Sequence, residues 1–187
     1  MNSDSIDAFL SACTDRLASL KEGDDFYDSI VNIPFESRLE ATLLGLGIVV
    51  LLLKNDKDGT VDRVALSRTE RAEGAVAISV KKFEEIKIPL DEHDNVLVQA
   101  IHRDEFRIIT DWKYLFIPAL TPQEARLNQA GAAIDCSVVY PLSQFSRGGA
   151  LIFSYFEPMS KLTNGHHRFM GGYAKAASEA LERFARQ

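Results

Sequence analysis

The sequence predicts an α+β fold: a central antiparallel sheet with helices on both faces, plus an N-terminal helix. Three observations predict it. Two pairs of apolar runs flank turn-rich loops, at residues 55–59 and 143–149, and read as hairpins. Both ends of the chain carry apolar residues at helical spacing. Between them, strands and helices do not alternate as a parallel sheet requires.

At the N-terminus, Ile6, Leu10, Cys13, Leu17 and Leu20 are spaced 4, 3, 4, 3, a seam on one helix face with Phe9 beside it. This predicts a helix over residues 4–22, capped by Asp4 or Ser3 and stopped at Gly23. Residues 24–34 read as a connector. A second helix is expected from near Phe35, carrying Leu39, Leu43 and Leu44 and broken by Gly45 and Gly47. Residues 47–54 follow as a strand buried on both faces, because their apolar side chains do not alternate. The turn Asn55-Asp56-Lys57-Asp58-Gly59 returns the chain as a strand over 63–69, with Val64 and Leu66 on one side.

Residues 71–88 read either as short strands, at 75–80 and 83–88, or as a loop crossing. A helix over 94–103 places Val96, Leu97, Ala100 and Ile101 on one face, with Asp91 or Asp94 as its cap. Residues 106–111 are a strand and 112–120 an aromatic loop or short turn. Thr121-Pro122-Gln123-Glu124 opens a helix that ends near Gly131: Thr caps, Pro takes the first helical position, and Glu completes the capping box. Strands follow at 135–142 and 150–156. The last helix, 164–187, has an apolar stripe that includes Phe169, Met170, Tyr173, Ala177, Leu181 and Phe184.

A chain of 187 residues suits one domain with helical extensions, here residues 1–35 as N-terminal helix and connector and 36–187 as the domain. A hydrophobic fraction of 46% gives enough apolar surface to offset ordering entropy, so wholesale disorder is excluded. With 21 Lys+Arg against 27 Asp+Glu, the net charge of −6 argues against non-specific nucleic-acid binding. The most apolar stretch, residues 43–53, is far short of the ~20 residues of a spanning helix, so no membrane segment is expected. No signal peptide is visible at the N-terminus. Cys13 and Cys136 are too few and too far apart for a disulfide scaffold, and a cytoplasmic location is expected.

Two blocks carry a family resemblance. One is the strand pair Ser137-Val138-Val139-Tyr140-Pro141-Leu142 and Gly149-Ala150-Leu151-Ile152-Phe153, a strand ending in Pro-apolar, a loop, and a Gly-apolar strand before a final helix. The other is Ile88-Pro89-Leu90, a helix, then Arg107-Ile108-Ile109-Thr110-Asp111, an apolar strand ending in Asp. With the element order, they resemble a GAF domain, the PAS-related sensory module, over residues 36–186. The resemblance implies a pocket between the sheet and the helix-loop segments covering one face. Members of this family bind cyclic nucleotides, bilins, haem or small metabolites, and some bind nothing known. Many dimerise through terminal helices.

The residues here do not select a cofactor. Cys136 is followed by Ser137 and starts a strand, unlike a bilin-attachment Cys, and reads as a small buried hydrophobe. Lys82-Phe83-Glu84-Glu85 echoes the cyclic-nucleotide pattern without its spacing. Two cysteines cannot supply the set that the related free methionine sulfoxide reductases use. His93, His102, His166 and His167 show no zinc-type pairing, and His166-His167 reads as a solvated helix start. The 54–59 turn fails as a calcium loop, Gly148-Gly149 lacks the rest of a P-loop, and no nucleophile can be paired with a base.

The expectation is therefore a non-enzymatic, cofactor-free GAF-like sensory or regulatory domain in signalling, acting through a separate output protein unless the chain is a fragment. It would bind a small-molecule ligand or mediate dimerisation. The alternative is a ligand-free structural or protein-interaction module. The pocket that the family position and the aromatic group Trp112, Tyr114, Phe116 imply is lined by Ala65, Ser67, Gln99, Arg103, Asp111, Trp112, Tyr114, Val138 and Phe153. Left in water, the seam Ile6, Leu10, Cys13, Leu17 and Leu20 would expose apolar area at about 25 cal/mol per Å². A parallel homodimer is expected, in which this seam and the last helix form a four-helix bundle; the alternative folds the first helix back on its own domain.

Overall fold

Leu46–Asn55, strand β1, is the spine of the sheet in the computed structural model, which describes residues 2–21 and 25–186. Its first eight residues are buried, as the unbroken apolar run predicts. The other strands are β2 (Thr60–Leu66), β3 (Lys87–Pro89), β4 (Arg107–Ile109), β5 (Cys136–Pro141) and β6 (Gly149–Tyr155). They form one six-stranded sheet in the order β3-β2-β1-β6-β5-β4. Every pairing is antiparallel. The expected α+β class holds, and residues 48–54 and 137–142 share the sheet.

The helices, in chain order, are α1 (Ser3–Ala18), α2 (Phe26–Glu36), α3 (Arg38–Leu43), α4 (Glu70–Ala77), α5 (Val96–Arg103), α6 (Lys113–Phe116), α7 (Pro122–Ala132) and α8 (Asn164–Ala185). They divide by face. Val49, Leu51 and Leu53 of β1 join a core with α1, α2 and α8. Ile48, Val50 and Leu52 point the other way, into a second core with α4, α5, α6 and α7. The strand's period of two sends one apolar run into both cores.

Several expectations are corrected. The first helix ends at Ala18 rather than near residue 22, and its cap is Asn2, whose Oδ1 accepts from the Ser5 N–H at 2.8 Å. Gly23, the expected stop, lies outside the described residues. The expected connector contains helix α2, whose Phe26, Ile30 and Ile33 recur at helical spacing. Pro34 sits inside that helix and cannot bond the Ile30 carbonyl. The Tyr173 hydroxyl donates to that carbonyl instead, at 2.6 Å. Leu39 and Leu43 are 65% and 56% exposed, so α3 does not cover the sheet with them. Residues 71–88 contain helix α4, a 3-10 turn at Phe83–Glu85 and the edge strand β3. Asn95, not Asp91 or Asp94, caps α5.

The expected dimer seam is used within the chain. Ile6, Cys13, Leu17 and Leu20 are each under 8% exposed, and Phe9 stacks on Phe169 of α8 at 5.0 Å. Leu10 packs over Gly172, where an added Cβ would lie 2.6 Å from its Cδ2. Helix α1 folds back on its own domain, as the alternative reading has it, with its seam packed in one core with α8 of the same chain. Ile6, Leu17 and Ile30 share one core with Phe153 and Tyr173, so α1 and α2 are built into the domain.

Candidate functional site

The second face of the sheet is not filled. A narrow cavity lies between β1, β2 and β6 below and α4, the 3-10 turn, α6 and α7 above. The centre of a water-sized sphere can occupy about 40 Å³ of it, room for roughly three waters. Ile48, Val50, Ile86, Leu115 and Ile152 give it apolar walls.

The polar groups come from five places. A bulge in β2 supplies the first. Leu51 pairs with Ala65 but Leu52 pairs with Arg63, so one residue of β2, Val64, is skipped. Beyond a one-residue shift, every side chain changes face. Ala65 therefore faces α8, while Arg63 and Leu66 line the cavity; the expectation that Val64 and Leu66 share a side is corrected. Ser154 comes from β6, Asn128 from α7, and Ser79 and Lys81 from the segment after α4. Asn128 Nδ2 donates to Ser79 Oγ at 3.1 Å, Ser79 Oγ donates to the Lys81 carbonyl at 2.8 Å, and Lys81 Nζ donates to the Ala119 carbonyl at 2.6 Å. Trp112 forms one wall; its Nε1–H donates to Ser137 Oγ at 2.8 Å, and Ser137 shares a hydrogen bond of 2.8 Å with Ser154.

Arg63 is the unusual member. Its guanidinium carbon lies over two aromatic rings, 4.5 Å from the Phe116 ring centre and 5.1 Å from that of Phe83. Burial pushes its pKa down to about 9, which still leaves it cationic at neutral pH. Among the described residues it has no ion pair.

The roof is built to tight tolerance. Thr69 caps α4, accepting from the Ala72 N–H at 3.2 Å, and donates to the Gly47 carbonyl at 2.8 Å. Helices α4 and α7 cross where Gly74 meets Gly131: a Cβ on Gly74 would stand 2.4 Å from the Gly131 carbonyl oxygen. Arg71 Nη1 donates to the Ala132 and Ala133 carbonyls at 3.2 and 2.7 Å, tying α4 to the end of α7. Buried Asn95 accepts from the Leu97 N–H and donates to the Leu115 and Ile117 carbonyls, fixing the wall that carries Phe116.

Of the nine residues expected to line a pocket, Trp112 alone does so. Ala65, Val138 and Phe153 lie in the α8-side core, Val138 opposite Phe153 across β5 and β6. Ser67 is buried and its Oγ accepts from the Val49 N–H at 3.0 Å. Gln99 donates to the His93 carbonyl at 2.8 Å. Arg103 is exposed at the end of α5. Asp111 pairs with Arg126 at 2.7 Å, which holds its carboxyl below the usual range. Tyr114 is 43% exposed, with the Lys113 ammonium 4.4 Å above its ring. Arg63, Ser79, Lys81, Asn128 and Ser154 were not expected. Phe83 lies in the segment first weighed as a cyclic-nucleotide echo, and lines the cavity beside Arg63.

The remaining candidates are structural. Cys13 and Cys136 are buried, and burial pushes their thiols up to about 12 and about 11, so neither is a ready thiolate at neutral pH. His166 and His167 are half-buried rather than solvated. His166 Nδ1 accepts from the Thr163 N–H at 3.1 Å, so its Nε2–H donates to the Leu44 carbonyl at 3.1 Å. Among the described residues no cluster of three His, Cys, Asp or Glu could hold a metal ion, and no helix is long and apolar enough to cross a membrane.

No family model and no curated protein matches the sequence. Solved structures do match its fold. The GAF domain of an Acinetobacter phosphoenolpyruvate-protein phosphotransferase superposes with a TM-score of 0.64 at 11% identity, covering 100% of this chain and 97% of that one. The corresponding GAF domain from Coxiella burnetii gives 0.66 at 13% identity over 100% and 97%. A free methionine-R-sulfoxide reductase from Neisseria meningitidis, solved in complex with its substrate, gives 0.61 at 13% identity over 98% and 93%. At these identities the likeness is one of fold.

Proposed function

We propose that this chain, which has the GAF-domain fold, is a sensory or regulatory domain that takes a small molecule in the Trp112–Arg63 cavity. The observation that carries the reading is the cavity itself, with apolar walls and a few convergent polar groups beneath a helical roof. A ligand larger than a few waters needs the roof raised, so binding favours a state in which α4 and α7 have moved. The base of α4 is joined to α2: the Arg68 N–H donates to Asn32 Oδ1 at 2.7 Å, and the Arg68 guanidinium pairs with Asp28. Helix α2 is in turn bonded to α8 through Tyr173 and Ile30. A displaced roof would thus have a contiguous route of contacts to the terminal helices, which supports a signalling role.

A thermal-shift screen against a metabolite library tests the reading. A ligand that binds only the native state raises stability by RT ln(1 + [L]/Kd). At least one compound should raise the melting temperature in a dose-dependent way and lose its effect in Ala75→Leu, which fills the cavity from α4. A library without hits, or hits that Ala75→Leu does not weaken, contradicts it.

A further inference from the structure

We infer that the ligand is a small carboxylic acid with an apolar body, its carboxylate held by Arg63. This rests on the reading above and names the chemistry of that site.

An arginine carries five N–H donors in a rigid fork. Structural arginines in this chain use theirs: Arg71 bonds two carbonyls and Arg126 pairs with Asp111. Among the described residues the Arg63 side chain has neither a hydrogen bond nor an ion pair, only the two aromatic rings. The two rings lie within 5.1 Å of the guanidinium carbon, and no protein acceptor takes its N–H donors among the described residues. Desolvation is what lowers its pKa, with no carboxylate near enough to oppose it. The cavity lining holds two cations, Arg63 and Lys81, and no Asp or Glu. In a chain of net charge −6, an acid-free pocket around a half-buried cation selects for an anion.

The walls decide which anion. A planar monoanion matches the guanidinium fork in two parallel bonds. A phosphate brings about two charges and asks for more donors than one half-buried fork and one rim ammonium already bonded to the Ala119 carbonyl. The rest of the lining is mostly aliphatic or aromatic, which suits a hydrocarbon body.

Calorimetric titration with matched pairs tests this: 3-methylbutanoate against 3-methylbutanamide and benzoate against benzamide, with inorganic phosphate as a third arm. At least one acid should bind the wild-type protein at least 30-fold more tightly than its amide, and phosphate should not bind. Arg63→Met should remove the preference for acid over amide, while Arg63→Lys, which keeps the charge without the fork, should retain part of it. The acid–amide comparison on wild type needs no variant, so a poorly folded Arg63→Met leaves it decisive. Amides that bind as well as acids, binding of phosphate alone, or no binding by either acid overturns the inference. Uncharged hits in the metabolite screen that Ala75→Leu abolishes would then keep the broader reading, and a screen empty of hits would end both.

Discussion

Two buried tyrosines on the α8 side have opposite consequences for stability. Tyr173 Oη donates to the Ile30 carbonyl that Pro34 leaves free, whereas Tyr155 Oη is buried with no partner in the protein. A buried polar group without a partner carries its desolvation penalty unrelieved. Tyr173→Phe should therefore cost about 1–3 kcal/mol, and Tyr155→Phe should be neutral or stabilising by up to about 1 kcal/mol, both read from urea unfolding. His166 sets a pH dependence. Burial is the main cause of its lowered pKa, with the His167 charge adding to it and the Leu44 carbonyl and Glu157 opposing it. A depressed folded-state value means the unfolded chain binds the proton more readily. The contribution is present above an unfolded pKa of about 6.5 and is lost as pH falls through the lower folded value. Wild type should lose stability as pH falls below about 6.5, and His166→Gln should flatten that slope; equal slopes would rule out this role.

At the scale of elements, the roof depends on two glycines. Gly74→Ala gains helix propensity of up to about 1 kcal/mol but drives a Cβ into the Gly131 backbone. The net effect should be a loss of about 1–3 kcal/mol, with faster hydrogen exchange in α4 and α7 than in β1 and β6. Uniform exchange would show that the crossing does not hold the roof. The sequence made some elements plain and hid others. The Thr121 capping box and the apolar run at 47–54 name their structures, because caps and burial are written in local residue types. Helix α2 was hidden because Pro34 reads as a helix stop, and only distant Tyr173 makes it tolerable. The pocket was misplaced because Val138 and Phe153 belong to strands that are apolar on both faces, where alternation carries no sign. Arg63 was invisible because the bulge opposite Leu51 and Leu52 turns its face, and bulges leave little local signal.

For the whole molecule, the terminal helices complete the domain rather than extend from it. A 4, 3, 4, 3 seam specifies a helix with one buried face; it does not specify whether the cover is α8 of the same chain or a partner. Leu17 is 1% exposed in the core shared with α2 and α8, and Arg183 Nη2 donates to its carbonyl at 3.2 Å. Leu17→Glu should cost at least about 3 kcal/mol in urea unfolding, because a carboxylate would be buried without a partner. Full stability in that variant would place the seam outside the domain's core. The two faces of the sheet then differ: the α8 side is a filled core, and the other side leaves a cavity under the α4–α7 roof.

The most direct test of that division uses the one tryptophan of the chain, which is a wall of the cavity. Its indole N–H, bonded to Ser137, gives a single peak in a 1H–15N spectrum. Titration with the tightest hit from the metabolite screen should move that peak to saturation, with amides of α4 and α7 following and those of α1 changing less. A ligand that saturates the protein while the Trp112 indole peak stays in place would contradict the account.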